Sequence, residues 1–198
     1  MKYEEFIKVF SEKYNLDFAS AVFKVLQFEG GISDDAEDKG GFTKYGISER
    51  FFKSNIEKLR SLGIVKQSES VADLSLSQVV DIYYHMFWKL IKCDEYDLAF
   101  VKGYMFDMAV NMGVGGSAML LQQALNNVGN AGLKVDGAIG AKTLLAYNRL
   151  NDTEKTELKL ELIKLRVEKY VRIGLNESRF LYGWVKRAFG WNGWFVDK

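Results

Sequence analysis

The sequence predicts a mainly α-helical fold that contains one small β-hairpin. Apolar residues recur three or four positions apart in most segments of the 198-residue chain, which is the period of an amphipathic helix. Strict alternation is confined to one short segment, GFTKYGI at residues 41–47. Hydrophobic residues make up 48% of the chain and charged residues 27%, so the composition is that of a folded domain with a real core.

The first catalytic candidate stands at the end of a predicted helix from Phe18 to Glu29. Asp17 is its predicted N-cap, and Gly30 with Gly31 ends it. The turn angle from Phe18 to Glu29 sums to about 20° past three full turns, so Glu29 continues the apolar stripe. A carboxylate on such a stripe is poorly solvated, and the negative end of the helix dipole acts in the same direction. Both effects favour the protonated form that a general acid requires.

An ordinary solvated glutamate at a helix end is the alternative interpretation of Glu29. The glycine pair and the acidic segment SDDAEDKGG that follow it favour the catalytic interpretation. Asp38 is the predicted second carboxylate because it lies next to the Gly40-Gly41 turn, and a turn-stabilising role for Asp38 is equally compatible with the sequence. Competing acids in the same segment are Asp34, Asp35 and Glu37.

The alternating segment predicts a short strand on which Gly41, Thr43, Tyr45 and Ile47 share one face. We expect the hairpin to bring Thr43, Tyr45 and the acidic loop close to Glu29. Thr43 and Tyr45 would also suit an exposed strand simply as β-formers, but their shared face favours a role in lining a cleft. Two carboxyl groups that flank a bond are the arrangement that cleaves glycosidic bonds.

The histidine and cysteine counts exclude several other chemistries. His85 is the only histidine and Cys93 the only cysteine, whereas zinc hydrolases use several such ligands and a disulfide needs two cysteines. An EF-hand loop counted from Asp35 would need a glutamate at its twelfth position, where the chain has Gly46. We therefore predict no cofactor and no structural metal, and carboxylate chemistry remains.

The other elements are predicted from periodicity, capping residues and glycine-rich breaks. Ser48 is a predicted N-cap, and Ser75 with Gln78 forms a predicted capping box. The segments MGVGG and NNVGNAGLKVDGAIG interrupt the helical pattern. The predicted helices cover residues 3–14, 48–62, 75–90, 97–111, 117 onward, 141–150 and 153–173. The aromatic side chains expected to dock onto the core, with sugar stacking as the alternative, are Tyr182, Trp184, Trp191 and Trp194.

The block EGG followed by DKGGFTKYGI resembles the signature of glycoside hydrolase family 108, a family of bacterial and phage N-acetylmuramidases once called secretion activators. The segments FDMAVNMG, LQQALNN and VDGAIGAKT resemble that family's continuation into its peptidoglycan-binding region, so the resemblance covers residues 25–184. It implies a lysozyme-like, two-lobed helical fold with a cleft. The implied organisation is a catalytic region at residues 1–105, with its core from residue 18, and a helical peptidoglycan-binding region at 106–198 packed against it.

The resemblance also implies roles for individual residues. Glu29 would protonate the leaving oxygen of the bond between N-acetylmuramic acid and N-acetylglucosamine. Asp38 and Thr43 are similar in order to the Asp and Thr that position the attacking water in phage-type lysozymes. Asn111 is implied near the cleft, where its amide would bind sugar hydroxyl and N-acetyl groups, and Tyr45 is a second candidate for substrate binding.

Two other functions stay open at this point. A lytic transglycosylase would use the same Glu29, and a non-catalytic wall-binding or secretion accessory protein would not use it at all. The expected partner is the glycan strand of peptidoglycan, and we expect a monomer. A net charge of +1 gives no reason to invoke nucleic acid, and the sequence has no apolar run long enough for a membrane span.

The first residues, MKYEEFIKVF, are amphipathic and lack the layout of a signal peptide. We therefore expect synthesis in the cytoplasm, followed by action at the periplasm or cell wall after holin-type release or dedicated export. A phage endolysin and a secretion-associated lysozyme both fit this expectation.

Overall fold

The computed structural model describes residues 1–30, 32–33, 43–174 and 178–191. The predicted fold class is confirmed, because these residues form nine α-helices and one small antiparallel sheet. The chain divides into two compact units, Met1–Trp88 and Lys89–Lys198. The division predicted between residues 105 and 106 stays a prediction.

The described residues of the first unit form four α-helices and three two-residue strands. They are α1 (Tyr3–Lys13), α2 (Leu16–Glu29), β1 (Ile32–Ser33), β2 (Thr43–Lys44), β3 (Ile47–Ser48), α3 (Glu49–Ser61) and α4 (Leu76–Tyr83). The second unit contains α5 (Ala99–Met112), α6 (Val114–Gly129), α7 (Ala141–Asn148), α8 (Asp152–Gly174) and α9 (Ser178–Phe189). Within the described ranges, every helix is too short or too polar to cross a membrane.

The start of α2 differs from the prediction, whereas its end agrees. The side chain of Asn15 accepts a hydrogen bond from the Phe18 backbone N–H at 2.8 Å, so Asn15 is the N-cap. The prediction of Asp17 as the cap is therefore wrong. Asp17 lies inside the first turn, where a negative charge is stabilised by the helix dipole. The helix ends at Glu29 as predicted, and Gly30 follows it with a φ of 71°.

The predicted caps of the next two helices are confirmed. The Ser48 hydroxyl accepts a hydrogen bond from the Phe51 backbone N–H at the start of α3. Ser75 and Gln78 form the reciprocal capping box that opens α4. These local signals fix where each helix begins, because they satisfy backbone N–H groups that have no partner inside the helix.

An aromatic cluster forms the core of the first unit. The Phe18 ring lies 5.0 Å from Tyr14, 5.0 Å from Tyr84 and 5.2 Å from Trp88 between centroids. Trp88 is fully buried. The helix predicted through residue 90 becomes a π-helical turn that ends at Trp88. Leu90, the last residue of the predicted helix, lies in the turn that follows and is 43% exposed.

The sheet corrects the prediction of one alternating strand over residues 41–47. The strand order is β1-β2-β3, and β2 turns back after Lys44 to pair with β3 in antiparallel register. Thr43 lies opposite Ser48, and Lys44 lies opposite Ile47. Residues that lie opposite each other point to the same face, so Thr43 and Ile47 are on opposite faces. The predicted face shared by Thr43, Tyr45 and Ile47 is therefore wrong.

The second unit is built around α5, whose residues are buried on nearly every side. Its fully buried carboxylate, Asp107, accepts hydrogen bonds from Arg166 Nη2 at 2.5 Å and from Arg187 Nε at 2.8 Å. The two arginines belong to α8 and α9, so one carboxylate joins three helices. Burial opposes ionisation of Asp107, but the two guanidinium groups outweigh it and hold its pKa below the usual 3.8.

We expect the Asp107→Asn substitution to lower the free energy of unfolding by about 3–5 kcal/mol at pH 7, because it removes the negative charge between two buried cations. Urea denaturation followed by circular dichroism measures the loss. The matched control is Glu168→Gln, which neutralises an exposed carboxylate on α8 and should cost less than about 0.5 kcal/mol.

The pH dependence gives a second check of the same substitution. A carboxyl group whose pKa is lowered by folding stabilises the protein above its unfolded pKa, and this contribution is lost as the pH falls through the folded pKa. The difference between wild type and Asp107→Asn should therefore be largest above pH 3.8 and shrink in stronger acid. Equal losses for Asp107→Asn and Glu168→Gln would contradict the assigned role of Asp107.

Candidate functional site

Glu29 lies where α2 meets the turn between β2 and β3. It is the last residue of α2 and is half-buried, and Gly30 then redirects the chain. A Cβ atom built on Gly46 would lie 2.7 Å from the Cγ and 3.0 Å from the Cδ of Glu29. The carboxyl side chain therefore rests against the bare Cα of Gly46. The structure brings Glu29 and the hairpin together, as the sequence analysis expected of this pair.

The hairpin turn consists of Tyr45 and Gly46, which both have positive φ values, 51° and 80°. Two consecutive positive φ values are the pattern of the tight type I′ turn, whose twist matches that of the flanking strands. A positive φ costs a tyrosine about 1–2 kcal/mol, so this conformation is rare and other contacts must stabilise the turn. Tyr45 thus lies in the turn itself, next to the glycine that contacts Glu29.

Tyr83 supplies one of those contacts. Its side chain is fully buried in α4, and its hydroxyl donates a hydrogen bond to the Tyr45 carbonyl oxygen at 2.8 Å. A Cβ on Gly46 would also collide with this hydroxyl. The sequence analysis includes Tyr83 in the predicted helix at residues 75–90 and assigns it no role at the site. The sequence does offer one signal of this contact, because the hydroxyl group of a buried tyrosine requires a hydrogen-bond partner.

Of the other two predicted catalytic residues, Thr43 lies in the described part of the chain and Asp38 does not. Thr43 is half-buried in β2, two residues before the turn. Asp38 lies outside the described residues, as do its competitors Asp34, Asp35 and Glu37. The structure therefore gives the position of the predicted acid and of the threonine.

Asn111 belongs to the second unit, one residue before the end of α5. Its side-chain oxygen accepts a hydrogen bond from the Tyr170 hydroxyl at 2.6 Å, and that hydroxyl accepts one from Arg166 Nε at 2.8 Å. Because an arginine cannot accept a hydrogen bond, the only phenolic proton of Tyr170 goes to Asn111. Burial raises the pKa of Tyr170, which keeps the hydroxyl protonated at neutral pH.

This network fixes the orientation of the Asn111 amide. Its oxygen is held by Tyr170, so its nitrogen, with two N–H donors, is the group that can bind a ligand. Arg166 in turn binds Asp107, which ties the orientation of Asn111 to the core of the second unit. Tyr170 and Arg166 were missed by the sequence analysis. Their spacing of four residues on α8 places them on one helix face, but their partners on α5 are 59 residues away.

The aromatic side chains near the end of the chain divide into two groups. Trp191 is fully buried, which confirms its predicted docking onto the core. The same prediction for Tyr182 is wrong, because its side chain points to solvent and is 79% exposed. The Trp184 ring stacks on Tyr170 at 5.6 Å and on Phe180 at 5.8 Å. Trp194 lies outside the described residues.

The described ranges contain no group of three or more histidine, cysteine, aspartate or glutamate side chains that could hold a metal ion. The chemistry that the described site offers is that of a carboxyl group held at a helix end.

We expect Gly46→Ala to destabilise the protein more than the same substitution at a glycine with free space. The positive φ alone should cost about 1–2 kcal/mol, and the collision with Glu29 and Tyr83 should add about 1–3 kcal/mol. Gly63→Ala is the matched control, because Gly63 has a φ of 69° and no atom within 4 Å of an added Cβ. Urea denaturation measures both free energies, and equal losses would mean that Glu29 does not pack against the turn.

Comparisons with known proteins agree with this arrangement. Residues 22–113 match the family model described as Glycosyl hydrolase 108, and residues 116–189 match the one described as Predicted Peptidoglycan domain. A solved structure, "Structure of Brucella abortus SagA", superposes with a TM-score of 0.63 at 25% sequence identity, over 89% of this chain and 95% of that chain. A search of curated proteins finds no match.

The two family models adjoin one another and together span most of the chain, and the similar solved structure extends over both regions. The first model contains Glu29 and the hairpin, and the second contains most of α6 and all of α7 and α8. The protein is therefore a glycoside hydrolase that belongs to family 108 and carries a C-terminal peptidoglycan-binding region.

Proposed function

We propose that the protein is an N-acetylmuramidase that hydrolyses the bond between N-acetylmuramic acid and N-acetylglucosamine in peptidoglycan. Glu29 acts as the general acid and protonates the oxygen of the leaving sugar. The observation that carries the proposal is the packing of the half-buried Glu29 side chain against Gly46 at the end of α2. A carboxyl group restricted in this way keeps the orientation that proton transfer to a bound substrate requires.

The neighbourhood of Glu29 supports this role. Tyr83 holds the turn through the Tyr45 carbonyl and also borders the space beside Gly46, so its hydroxyl limits the directions open to the carboxyl group. The Tyr45 side chain is half-buried, and its ring offers a surface on which a sugar can stack. Tyr45 is thus proposed as a substrate-binding residue.

Asp38 and Thr43 are proposed to complete the reaction. Asp38, assisted by the Thr43 hydroxyl, would orient the attacking water or stabilise the positive charge that develops on the sugar. The position of Thr43 in β2, close in sequence to the turn that contacts Glu29, supports its part in this proposal. A separation of roughly 6.5–9.5 Å between the carboxyl groups would lead to inversion of the anomeric carbon, and about 5–5.5 Å would lead to retention.

Glu29→Gln should abolish clearing of a peptidoglycan zymogram, with a loss of at least about 100-fold in rate, because the glutamine side chain has no acidic proton to donate. Glu12→Gln is the matched control, since it neutralises an exposed glutamate on α1 and should leave clearing unchanged. Clearing that persists in Glu29→Gln would exclude Glu29 from the mechanism. An inactive wild type would favour the non-catalytic accessory protein.

The products distinguish hydrolysis from transglycosylation. Mass spectrometry of a digested cell wall should show muropeptides with reducing ends, because a muramidase transfers the cleaved sugar to water. Anhydro-muropeptides would identify a lytic transglycosylase that uses the same Glu29. Delivery by holin-type release or by a dedicated exporter stays a prediction, as does the monomeric state.

Asn111 is proposed to bind the substrate through its amide nitrogen, for example at the carbonyl oxygen of an N-acetyl group. The support is the orientation that Tyr170 gives to its side chain. In this role Tyr170 is a positioning residue, and the interaction of Asn111 with the sugar is expected in both the ground state and the transition state.

Tyr170→Phe should therefore raise KM by about 5- to 10-fold with little change in kcat, because it frees the Asn111 amide to rotate and weakens binding of the ground state and the transition state alike. Kinetics on soluble glycan fragments measure both constants. Phe180→Leu is the control, because it alters the Trp184 stack without touching the hydrogen bond to Asn111. A fall in kcat at constant KM would contradict the assigned role of Tyr170.

A further inference from the structure

A concavity of about 760 Å³ lies in the part of the second unit that matches the peptidoglycan domain. It is formed by the end of α6, the loop over residues 130–140, α7 and the start of α8. Its volume falls within the range of ligand sites, which is about 300–1,000 Å³. No residue proposed for the cleavage reaction lines it.

The loop that borders the concavity is held by two amide side chains of α6. Gln122 is buried, and its oxygen accepts hydrogen bonds from the backbone N–H groups of Asp136 at 3.0 Å and Gly137 at 2.9 Å. Asn126 exchanges two hydrogen bonds with the backbone of Leu133, at 2.7 and 2.8 Å. The loop is therefore ordered by the protein itself, and binding does not have to order it.

The charged side chains around the concavity differ in whether they already have a partner in the protein. The carboxylates of Asp136 and Glu154 are both engaged, the first with Gln122 and the second with the start of α8. Three cations line the concavity. Lys134 lies near Asp136, and its charge adds to the hydrogen bond from Gln122 in lowering the pKa of that carboxylate. Lys142 on α7 and Arg149, which directly follows α7, are exposed, and neither forms an ion pair with any residue that the structure describes. Three cations and two hydrogen-bonded carboxylates thus surround a preformed concavity, and Lys142 and Arg149 are the two cations available to an anionic ligand.

The lining also favours a peptide over a sugar chain. In the described part of the chain, the residues around the concavity include no phenylalanine, tyrosine or tryptophan, so a sugar ring has no aromatic surface on which to stack. Small side chains are frequent instead and allow a backbone to approach closely. They are Gly129, Ala131, Gly132, Ala138, Gly140 and Ala141.

We propose that this concavity binds the peptide stems of peptidoglycan, with Lys142 and Arg149 as the partners of their free carboxylates. The inference rests on the proposed function in taking peptidoglycan as the substrate, and it assigns the recognition of the peptide to this site. The glycan strand is then bound and cleaved elsewhere in the protein. Uncharged glycan is the alternative ligand that the experiment must separate from the peptide.

The test is isothermal titration calorimetry on the full-length protein with three probes. They are a stem tetrapeptide with free carboxylates, the same peptide with its carboxylates amidated, and a tetrasaccharide of N-acetylglucosamine. Only the first should bind measurably, and the double substitution Lys142→Ala, Arg149→Ala should weaken it at least about tenfold. Arg172→Ala is the matched control, an exposed cation on α8 outside the concavity, and it should bind as wild type does.

Several results would overturn this proposal. They are an unchanged affinity in the double variant, equal binding of the amidated peptide, and a preference for the uncharged tetrasaccharide. Thermal unfolding of the double variant guards against misfolding, because exposed side chains should leave Tm unchanged. The failure of the proposed function is separately visible, because it appears as zymogram clearing by Glu29→Gln, whereas peptide binding involves no cleavage.

Discussion

The close approach between the Glu29 side chain and Gly46 is the constraint on which the candidate active site depends. It requires a residue without a Cβ, a turn with two positive φ values, and a helix that ends directly after the acid. The Tyr83 hydroxyl of α4 then stabilises the backbone of the turn by donating a hydrogen bond to the Tyr45 carbonyl oxygen. A general acid gains from this arrangement because its position is fixed by backbone geometry as well as by its own rotamer.

Much of this site could be predicted from local sequence, because the signals are local. The apolar stripe of α2 and the glycines after it predicted where Glu29 lies, and serine caps predicted where α3 and α4 begin. The hairpin turn could not be predicted in the same way. The alternation of residues 41–47 runs without a break through the turn, although the turn places Thr43 and Ile47 on opposite faces. The positive φ of Tyr45 has no local signal, because it depends on a hydrogen bond from Tyr83, 38 residues away.

The buried charges of the second unit illustrate a second limit. Asp107 sits within an apolar helix, and its two arginine partners lie 59 and 80 residues further along the chain. A sequence pattern identifies faces of helices, but it does not identify which distant cations a buried carboxylate will meet. The same limit applies to Asn111, the proposed substrate-binding residue, because Arg166 orients Asn111 through Tyr170. Stability and recognition therefore share one hydrogen-bonded network in this unit.

The two proposed sites call for different physical solutions. Cleavage needs one carboxyl group held to within a fraction of an ångström, and a glycine contact supplies that precision in the first unit. Attachment to a polymer that repeats the same peptide many times needs only modest affinity per site, because neighbouring copies keep the local concentration high. Exposed cations around a loop ordered by Gln122 and Asn126 suit that task, since weak and reversible contacts let the enzyme move from one repeat to the next.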